Sequence, residues 1–347
     1  MSSKPTILIT GGAGYLGSIL VNKLLMGQSR LTTLKINNDN NNSSITTDEI
    51  KFHNPSHLID VGKVIVYDNL MYRQTSLSEY CYRGDFEFVH GDVRDEHLFK
   101  KYIQKADIII PLAAIVGFPA CEKNSDLAWQ VNYNQIKLVL RYTSSDQKII
   151  YPNTNSMYGS SNDVVTEDSP SNPLSTYGIT KTRAESMLLN SGRAITLRLA
   201  TVFGVSNRMR LDLLVNDFTY KAVNDKYIVL FEKDFKRNYI HIQDVAMTFM
   251  YMMNNYEKYV GQTFNVGLSS ANLSKLELAE KIKEYIPEFS IHIDDFANDP
   301  DKRNYIVSNE KLEATGWKPY YSLDDGIKEL IEAYKIISHS NKMYTNL

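Results

Sequence analysis

Tyr177 and Lys181 belong to Asn172-Pro173-Leu174-Ser175-Thr176-Tyr177-Gly178-Ile179-Thr180-Lys181, which reads as the start of a helix. Four residues apart, the phenol and the amine share one helix face. A lysine beside a phenol favours phenolate and lowers its pKa from about 10 toward the working range of a general base. Upstream, Thr154-Asn155-Ser156-Met157-Tyr158-Gly159 closes the apolar run that begins at Lys148 and sets hydroxyls at its carboxyl end, the edge at which parallel sheets bind ligands. Phenolate beside a nicotinamide is what alcohol–ketone chemistry requires. The same Y-x-x-x-K spacing recurs at Tyr133 and Lys137, and among 23 tyrosines an accidental match is unsurprising. Position separates the two. Tyr177 starts a helix beside a hydroxyl-bearing strand end, whereas Tyr133 lies inside the helix of Leu127–Tyr142, where it and Lys137 read as surface residues.

A cradle for the cofactor stands near the start of the chain. Thr6-Ile7-Leu8-Ile9-Thr10 has the pattern of a buried parallel strand. It runs into Gly11-Gly12-Ala13-Gly14-Tyr15-Leu16-Gly17, and helical periodicity follows over Ser18–Leu25. Gly12, Gly14 and Gly17 fit G-x-G-x-x-G, and Gly11, Gly14 and Gly17 fit G-x-x-G-x-x-G. Glycine allows the tight turn, the close approach of pyrophosphate and the helix–strand contact, while the helix N-terminus adds free N–H groups. Gly11, Gly14, Tyr15 and Leu16 are the expected contacts. An acidic residue should follow by about 20 residues. Here the next good strand, Lys63–Tyr67, ends in Asp68, 51 residues (68 − 17) after Gly17. The excess is a polar stretch from about Gln28 to Asp60 containing Asn37-Asn38-Asp39-Asn40-Asn41-Asn42, too poor in apolar surface to offset its ordering entropy. It reads as a surface insertion. Asp68, followed by Asn69, is then the ribose carboxylate that accepts from the 2′-OH of NAD and repels the 2′-phosphate of NADP; the plainer reading is a turn residue. Arg73, beside Tyr72, leaves a route to NADP.

The alternation of strand and helix continues. Phe86–His90 is a third strand, left by Gly91-Asp92-Val93, where Asp92 either holds the adenine amino group or caps the helix starting near Asp95. Asp107–Ala114 is a fourth, with small residues at its exit, Leu112-Ala113-Ala114, and the helix after it carries Asn132. Val93, Leu112, Ala113, Ala114 and Asn132 join the expected cofactor positions. Lys148–Thr154 is the fifth strand. Such alternation means a doubly wound parallel sheet of α/β class, the Rossmann arrangement.

Taken together, these motifs and Tyr158-Gly159 resemble the extended short-chain dehydrogenase/reductases, the nucleotide-sugar epimerases, dehydratases and dehydrogenases. The resemblance covers nearly the whole chain outside the Asn-rich stretch. It implies a triad of Thr154, Tyr177 and Lys181, a bound NAD, and a homodimer formed through two helices per subunit. It also implies a nucleotide-binding domain over 1–198 and a smaller C-terminal α/β substrate lobe over 199–347, with the chain crossing between them. Ala194–Gly204 resembles the family's sixth strand and its exit, which places Thr201 at the substrate. Arg237 stands at the position of the family's diphosphate-binding arginine. Arg208, Arg210 and Arg303 are further candidates by the affinity of guanidinium for phosphate, each weighed against a solvated surface charge. Arg208–Asp212 reads as opening a helix. Asp244 reads as structural, His241 as either core or ligand, and Ser322–Ser338 as a capped amphipathic helix.

Within the family, a 4,6-dehydratase places an Asp-Glu pair directly after the catalytic hydroxyl. Asn155-Ser156 stands there instead, and an amide and an alcohol cannot serve as that acid and base. Both are expected to face the substrate, with chemistry confined to C4. Several stretches, among them Arg198-Leu-Ala-Thr-Val-Phe-Gly204 and Asp299-Pro-Asp-Lys-Arg303, look closest to the GDP-heptose 4-dehydrogenases of bacterial capsule synthesis. This favours a GDP-sugar over a UDP-sugar. The chain departs from them in the Asn-rich insertion and in Met157, where glycine is expected.

Composition limits the alternatives. The formal charge of −2 leaves no basic face for nucleic acid. No apolar run approaches the roughly 20 residues of a membrane span. Cys81 and Cys121 belong to no metal pattern. The N-terminus runs directly into the first strand, so a cytoplasmic enzyme without a signal peptide is expected.

Overall fold

The computed structural model describes residues 4–26, 59–294 and 303–337. Most of the expected surface insertion lies outside the described residues. Seven parallel strands form the central sheet: β1 (Thr6–Thr10), β2 (Lys63–Asp68), β3 (Phe86–His90), β4 (Ile108–Pro111), β5 (Lys148–Thr154), β7 (Ala194–Leu199) and β11 (Thr263–Val266), in the order β11-β7-β5-β4-β1-β2-β3. The order reverses between β1 and β4, and ligands bind such sheets in the crevice at that switch point.

Period-two side-chain alternation explains why both faces are covered. Ile7 and Ile9 of β1, Val64 and Val66 of β2, and Ile108 and Ile110 of β4 fall in one core, with Ile19, Leu20 and Leu24 of α1 (15–26). The intervening Leu8, Ile65, Tyr67 and Ile109 fall in the other. That second core includes Phe99 and Ile103 of α2 (Glu96–Ile103), Ile136 and Val139 of α3 (Gln135–Tyr142), and Ala184 and Leu188 of α4 (Thr176–Asn190). The register pairs Ile7 with Val64 on one side and with Ile108 on the other.

The run Ala194–Gly204 is two strands rather than one. At Ala200, whose N–H bonds Val266 O at 2.9 Å, the chain leaves the central sheet. It continues as β8 (Thr201–Phe203), which pairs with β10 (Lys236–His241), and β10 in turn pairs with β12 (Asn272–Ser274). Two further strand pairs and, among the described residues, four helices of nine residues or more involve this part of the chain. β9 (Tyr227–Leu230) pairs with β13 (Ser290–Ile293), and β6 (Ser160–Val165) with β14 (Asn304–Val307). The helices are α5 (Leu214–Asn224), α6 (Ile242–Asn254), α7 (Lys275–Lys283) and α8 (Leu323–Tyr334). β11 returns from this part of the chain to the central sheet.

Two elements differ from their expected form. The helix expected over Leu127–Tyr142 is a short helix at Ser125–Ala128, a π-helical stretch at Trp129–Asn134 and then α3. Gln135 supplies the cause: its side-chain amide donates to Val131 O at 2.6 Å and takes up a carbonyl of the ladder. Arg208–Asp212 opens no helix; α5 begins at Leu214, leaving both arginines on the preceding loop. The expected C-terminal helix is α8, closed by a capping box between Ser322 and Asp325.

Candidate active site

A cleft of about 540 Å³ opens at the carboxyl ends of the strands, within the range of small-molecule sites. The glycine turn forms one wall. Gly11 has φ +68°, and a Cβ there would lie 2.7 Å from the backbone of Ala113; a Cβ on Gly17 would lie 2.6 Å from Gly11 O. The turn therefore presents bare backbone beside α1's N-terminus, a cradle suited to the pyrophosphate of NAD. Gly11, Gly14, Tyr15 and Leu16 line it, opposite Leu112, Ala113 and Ala114.

Asp68 closes β2 and fastens the turn. Its Oδ2 accepts from Ala13 N at 3.0 Å, and its Oδ1 from Leu70 N at 2.8 Å and from the Gln74 amide at 3.3 Å. Burial pushes its pKa up, and the two backbone donors pull it back. The loop beyond is strained, with φ +51° at Leu70 and +54° at Arg73, a conformation that bulky residues avoid. Asp92 lines the cleft with Val93 and Asn69. Arg94 grips its carboxylate with Nε to Oδ1 at 2.9 Å and Nη2 to Oδ2 at 2.7 Å, while Asn69 donates to Oδ2 at 3.1 Å. Arg94 is the main cause of its pKa of about 2, against the opposing effect of burial. The helix cap is Asp95, which accepts from Leu98 N, so Asp92 has no capping duty.

Asn132 is not on the cleft wall. It is buried, accepts from Ile115 N at 2.8 Å, and donates to Ile115 O at 3.0 Å and to Thr180 Oγ1 at 3.2 Å. It ties the loop after β4 to α4.

Thr154, Tyr177 and Lys181 meet in the cleft, from the end of β5 and the first turns of α4. Ser175 caps α4 by accepting from Gly178 N at 3.2 Å. Further along, Glu185 of α4 pairs with Arg198 of β7 (Nε to Oε2, 3.1 Å), and Arg198 also donates to Tyr158 O–H at 2.9 Å. This buried pair fixes the helix against the sheet. In the protein alone burial is the largest influence on both groups. It pushes Tyr177 up to about 12, where Cys121 adds to the rise and Arg210, Arg303 and the Thr154 hydroxyl oppose it. It pushes Lys181 down to about 7, with Glu185 opposing. The Lys181 ammonium lies 3.9 Å from the centroid of the Tyr151 ring. Tyr133 lies off the cleft, edge-on to Trp129 with the Lys137 ammonium 4.6 Å from its ring, whereas Tyr177 lines it.

Ser156, Thr201, Arg208, Arg210 and Arg303 also line the cleft. Arg208 lies 5.0 Å from the Tyr72 ring centroid and donates to Met209 O at 2.8 Å. Arg210 pairs with Asp212 (Nε to Oδ1, 3.2 Å). Two of the expected substrate residues do not line the cleft. Asn155 is buried off the cleft wall, with neither amide atom hydrogen-bonded. Arg237 is buried in β10, donates to Lys236 O at 2.9 Å and sits 5.5 Å from the centroid of Tyr305; it supports Tyr305, which lines the cleft.

Sequence reasoning missed Tyr305 and Asn216. Asn216 is fully buried, accepts from Gly204 N at 3.1 Å, and donates to Tyr15 O–H at 3.2 Å and to Arg210 O at 2.8 Å. It staples the arginine loop to the glycine turn. Its only advance signal was polarity at an apolar position of α5. His241 is a core residue, stacked on Tyr321 and 2.7 Å from Glu329 Oε2. Asp244 is structural, accepting from Tyr320 N and Tyr321 N. Among the described residues no cluster of three His, Cys, Asp or Glu could hold a metal, and no helix is long and apolar enough to cross a membrane.

A doubly wound sheet with a bare glycine turn, a ribose-edge carboxylate and a Thr–Tyr–Lys set defines a nicotinamide-dependent enzyme of the short-chain dehydrogenase/reductase type. The chain belongs to the NAD dependent epimerase/dehydratase family, whose model matches residues 7–267, and its cofactor is NAD. It is 26% identical over 341 residues to the low-salt glycan biosynthesis protein Agl12 of Haloferax volcanii, covering 94% of this chain and 98% of that one. It is 24% identical over 331 residues to the dTDP-D-glucose 4,6-dehydratase of Mus musculus, covering 83% and 87%. The solved UDP-glucuronic acid 4-epimerase of Bacillus cereus shares its fold with a TM-score of 0.76 at 21% identity, over 95% of this chain and 99% of that one.

Proposed function

We propose that this enzyme oxidises C4 of a nucleotide-activated sugar, GDP-linked in preference to UDP-linked, to a 4-keto sugar. The observation that carries the restriction to C4 is the placement of acids. The carboxylates on the cleft wall are Asp68 and Asp92, tied respectively to Ala13 N and to Arg94. Beside Thr154 stands a serine, so the acid–base pair that elimination requires is missing from the described wall.

Tyr177, as phenolate, takes the proton of the C4 hydroxyl directly or through Thr154. NAD supplies the acceptor for the hydride that leaves C4. Lys181 holds the nicotinamide ribose and, when charged, favours phenolate. Asp68 holds the adenine-side ribose, and Arg208, Arg210 and Arg303 face the diphosphate and sugar. A 4-keto product that leaves makes the enzyme a dehydrogenase, with a GDP-heptose as the substrate favoured by resemblance. A product that turns over and is reduced again makes it a 4-epimerase. On the same reading it works as a homodimer in the cytoplasm. Mass spectrometry of co-purifying nucleotides tests the assignment: NAD with a GDP- or UDP-sugar supports it, and NADP or a nucleotide without a sugar contradicts it.

A further inference from the structure

Ser156 is the residue of the cleft whose bonding the triad leaves unexplained. Its Oγ accepts from Thr154 Oγ1 at 2.9 Å and also from the Arg303 guanidinium. Thr154 Oγ1 meanwhile accepts from Ser156 N at 3.1 Å. The hydroxyl that acts on the Tyr177 phenol is thus the first of two in a row, and a cation stands on the second. Ser156 and Arg303 come together because β14, which follows Arg303, pairs with β6, which follows the turn carrying Ser156. Both side chains line the cleft.

We propose that Thr154 and Ser156 form a proton exit for Tyr177, with Arg303 as the positioning residue that sets its direction. The donor order Thr154 to Ser156 is the one we assign to the protonated phenol. When Tyr177 gives its proton to Thr154 Oγ1, the Thr154 proton passes to Ser156 Oγ, and the Ser156 proton passes to water in the cleft. Afterwards Ser156 donates to Thr154, and Thr154 donates to phenolate. One O–H bond breaks and one forms at each hydroxyl, and the net change is one proton moved from the phenol to water. Arg303 can only donate, so it occupies a lone pair of Ser156 in both states, and its charge favours the state in which the proton has left.

The inference rests on the C4-oxidation reading for its purpose. Oxidising an alcohol with release of the ketone produces one proton per turnover, which must leave the base before the next cycle. An epimerase returns that proton and needs no exit. The other groups acting on the phenol are Cys121 from the helix after β4, Arg210 from the loop before α5, and Tyr151 from β5. None of them bonds to Ser156.

The test needs no sugar nucleotide, so it is independent of whether the substrate has been named correctly. Tyrosine labelled with carbon-13 at Cζ is titrated by NMR in the NAD-bound enzyme, with the Tyr177 signal assigned by its loss in Tyr177→Phe. Arg303→Gln should move the Tyr177 midpoint up by about one pH unit, the effect of removing a nearby opposite charge. Ser156→Ala should move it the same way, and Ser156→Thr, which keeps the hydroxyl, should restore it. Ser156→Ala removes a single oxygen and carries the test if Arg303→Gln does not fold. Midpoints unchanged in the folded variants, or Ser156→Thr as damaging as Ser156→Ala, overturn the relay.

Discussion

At the residue scale, two tyrosines share one sequence pattern and only one can act. Tyr177→Phe should lower hydride transfer by roughly 10² or more, the loss expected for a general base, and Tyr133→Phe should leave it within about two-fold; NADH formation in single turnovers checks both. Comparable losses would return the assignment to the sequence ambiguity. The place of Tyr177 on the cleft wall was legible from chain position, because a helix that follows a hydroxyl-bearing strand end starts near that end. Other residue roles were not legible. Asn155 and Ser156 are neighbours, yet one is buried off the wall and the other faces the cleft, since the turn after β5 rotates successive side chains apart. The placement of Arg237 5.5 Å from the Tyr305 ring centroid was not legible, because it joins residues distant in the chain. For Asp68, titration of cofactor-stripped protein should give tighter binding of NAD than of NADP, and Asp68→Ala should narrow the difference. Equal affinity in the wild-type protein would contradict the ribose role.

At the element scale, the strands and the glycine turn were readable because apolar alternation and glycine spacing are local signals. The π-helical stretch before α3 was hidden because it follows from one side chain, Gln135, capturing a carbonyl. The staple from α5 was hidden because it joins segments on opposite sides of the cleft. Asn216→Ala should raise KM for the nucleotide sugar several-fold while changing kcat little, since it frees the arginine loop and leaves the triad in place. Asn216→Asp retains the acceptor for Gly204 N and should recover part of the loss. A fall in kcat with unchanged KM would contradict the staple. Gly11→Ala should cost about 1–3 kcal/mol from backbone strain alone, with further loss from the contact with Ala113, read as a lower urea midpoint and weaker NAD binding.

At the scale of the whole molecule, stability and reaction type are separately testable. Burial raises the Asp244 pKa to about 6, so the native state holds more protons than the unfolded one between about pH 4 and 6. The stability this group contributes is full below about pH 4 and is lost as pH rises to 6. Asp244→Asn should therefore destabilise more at pH 4.5 than at pH 7, by urea unfolding, beyond a pH-independent loss of about 1–3 kcal/mol for the backbone donor left unpaired. The parallel central sheet was legible from strand and helix alternation, but which later strand joins its edge, β11 beside β7, was not, because nothing local marks which sheet a strand joins. The most direct test of C4 chemistry is turnover of GDP- and UDP-sugars in deuterated water, followed by mass spectrometry and NMR of the product. The expected product is a 4-keto sugar or its C4 epimer that keeps its C6 oxygen, with background deuterium at C5. A product lighter by one water and carrying solvent deuterium at C5 or C6 would contradict it.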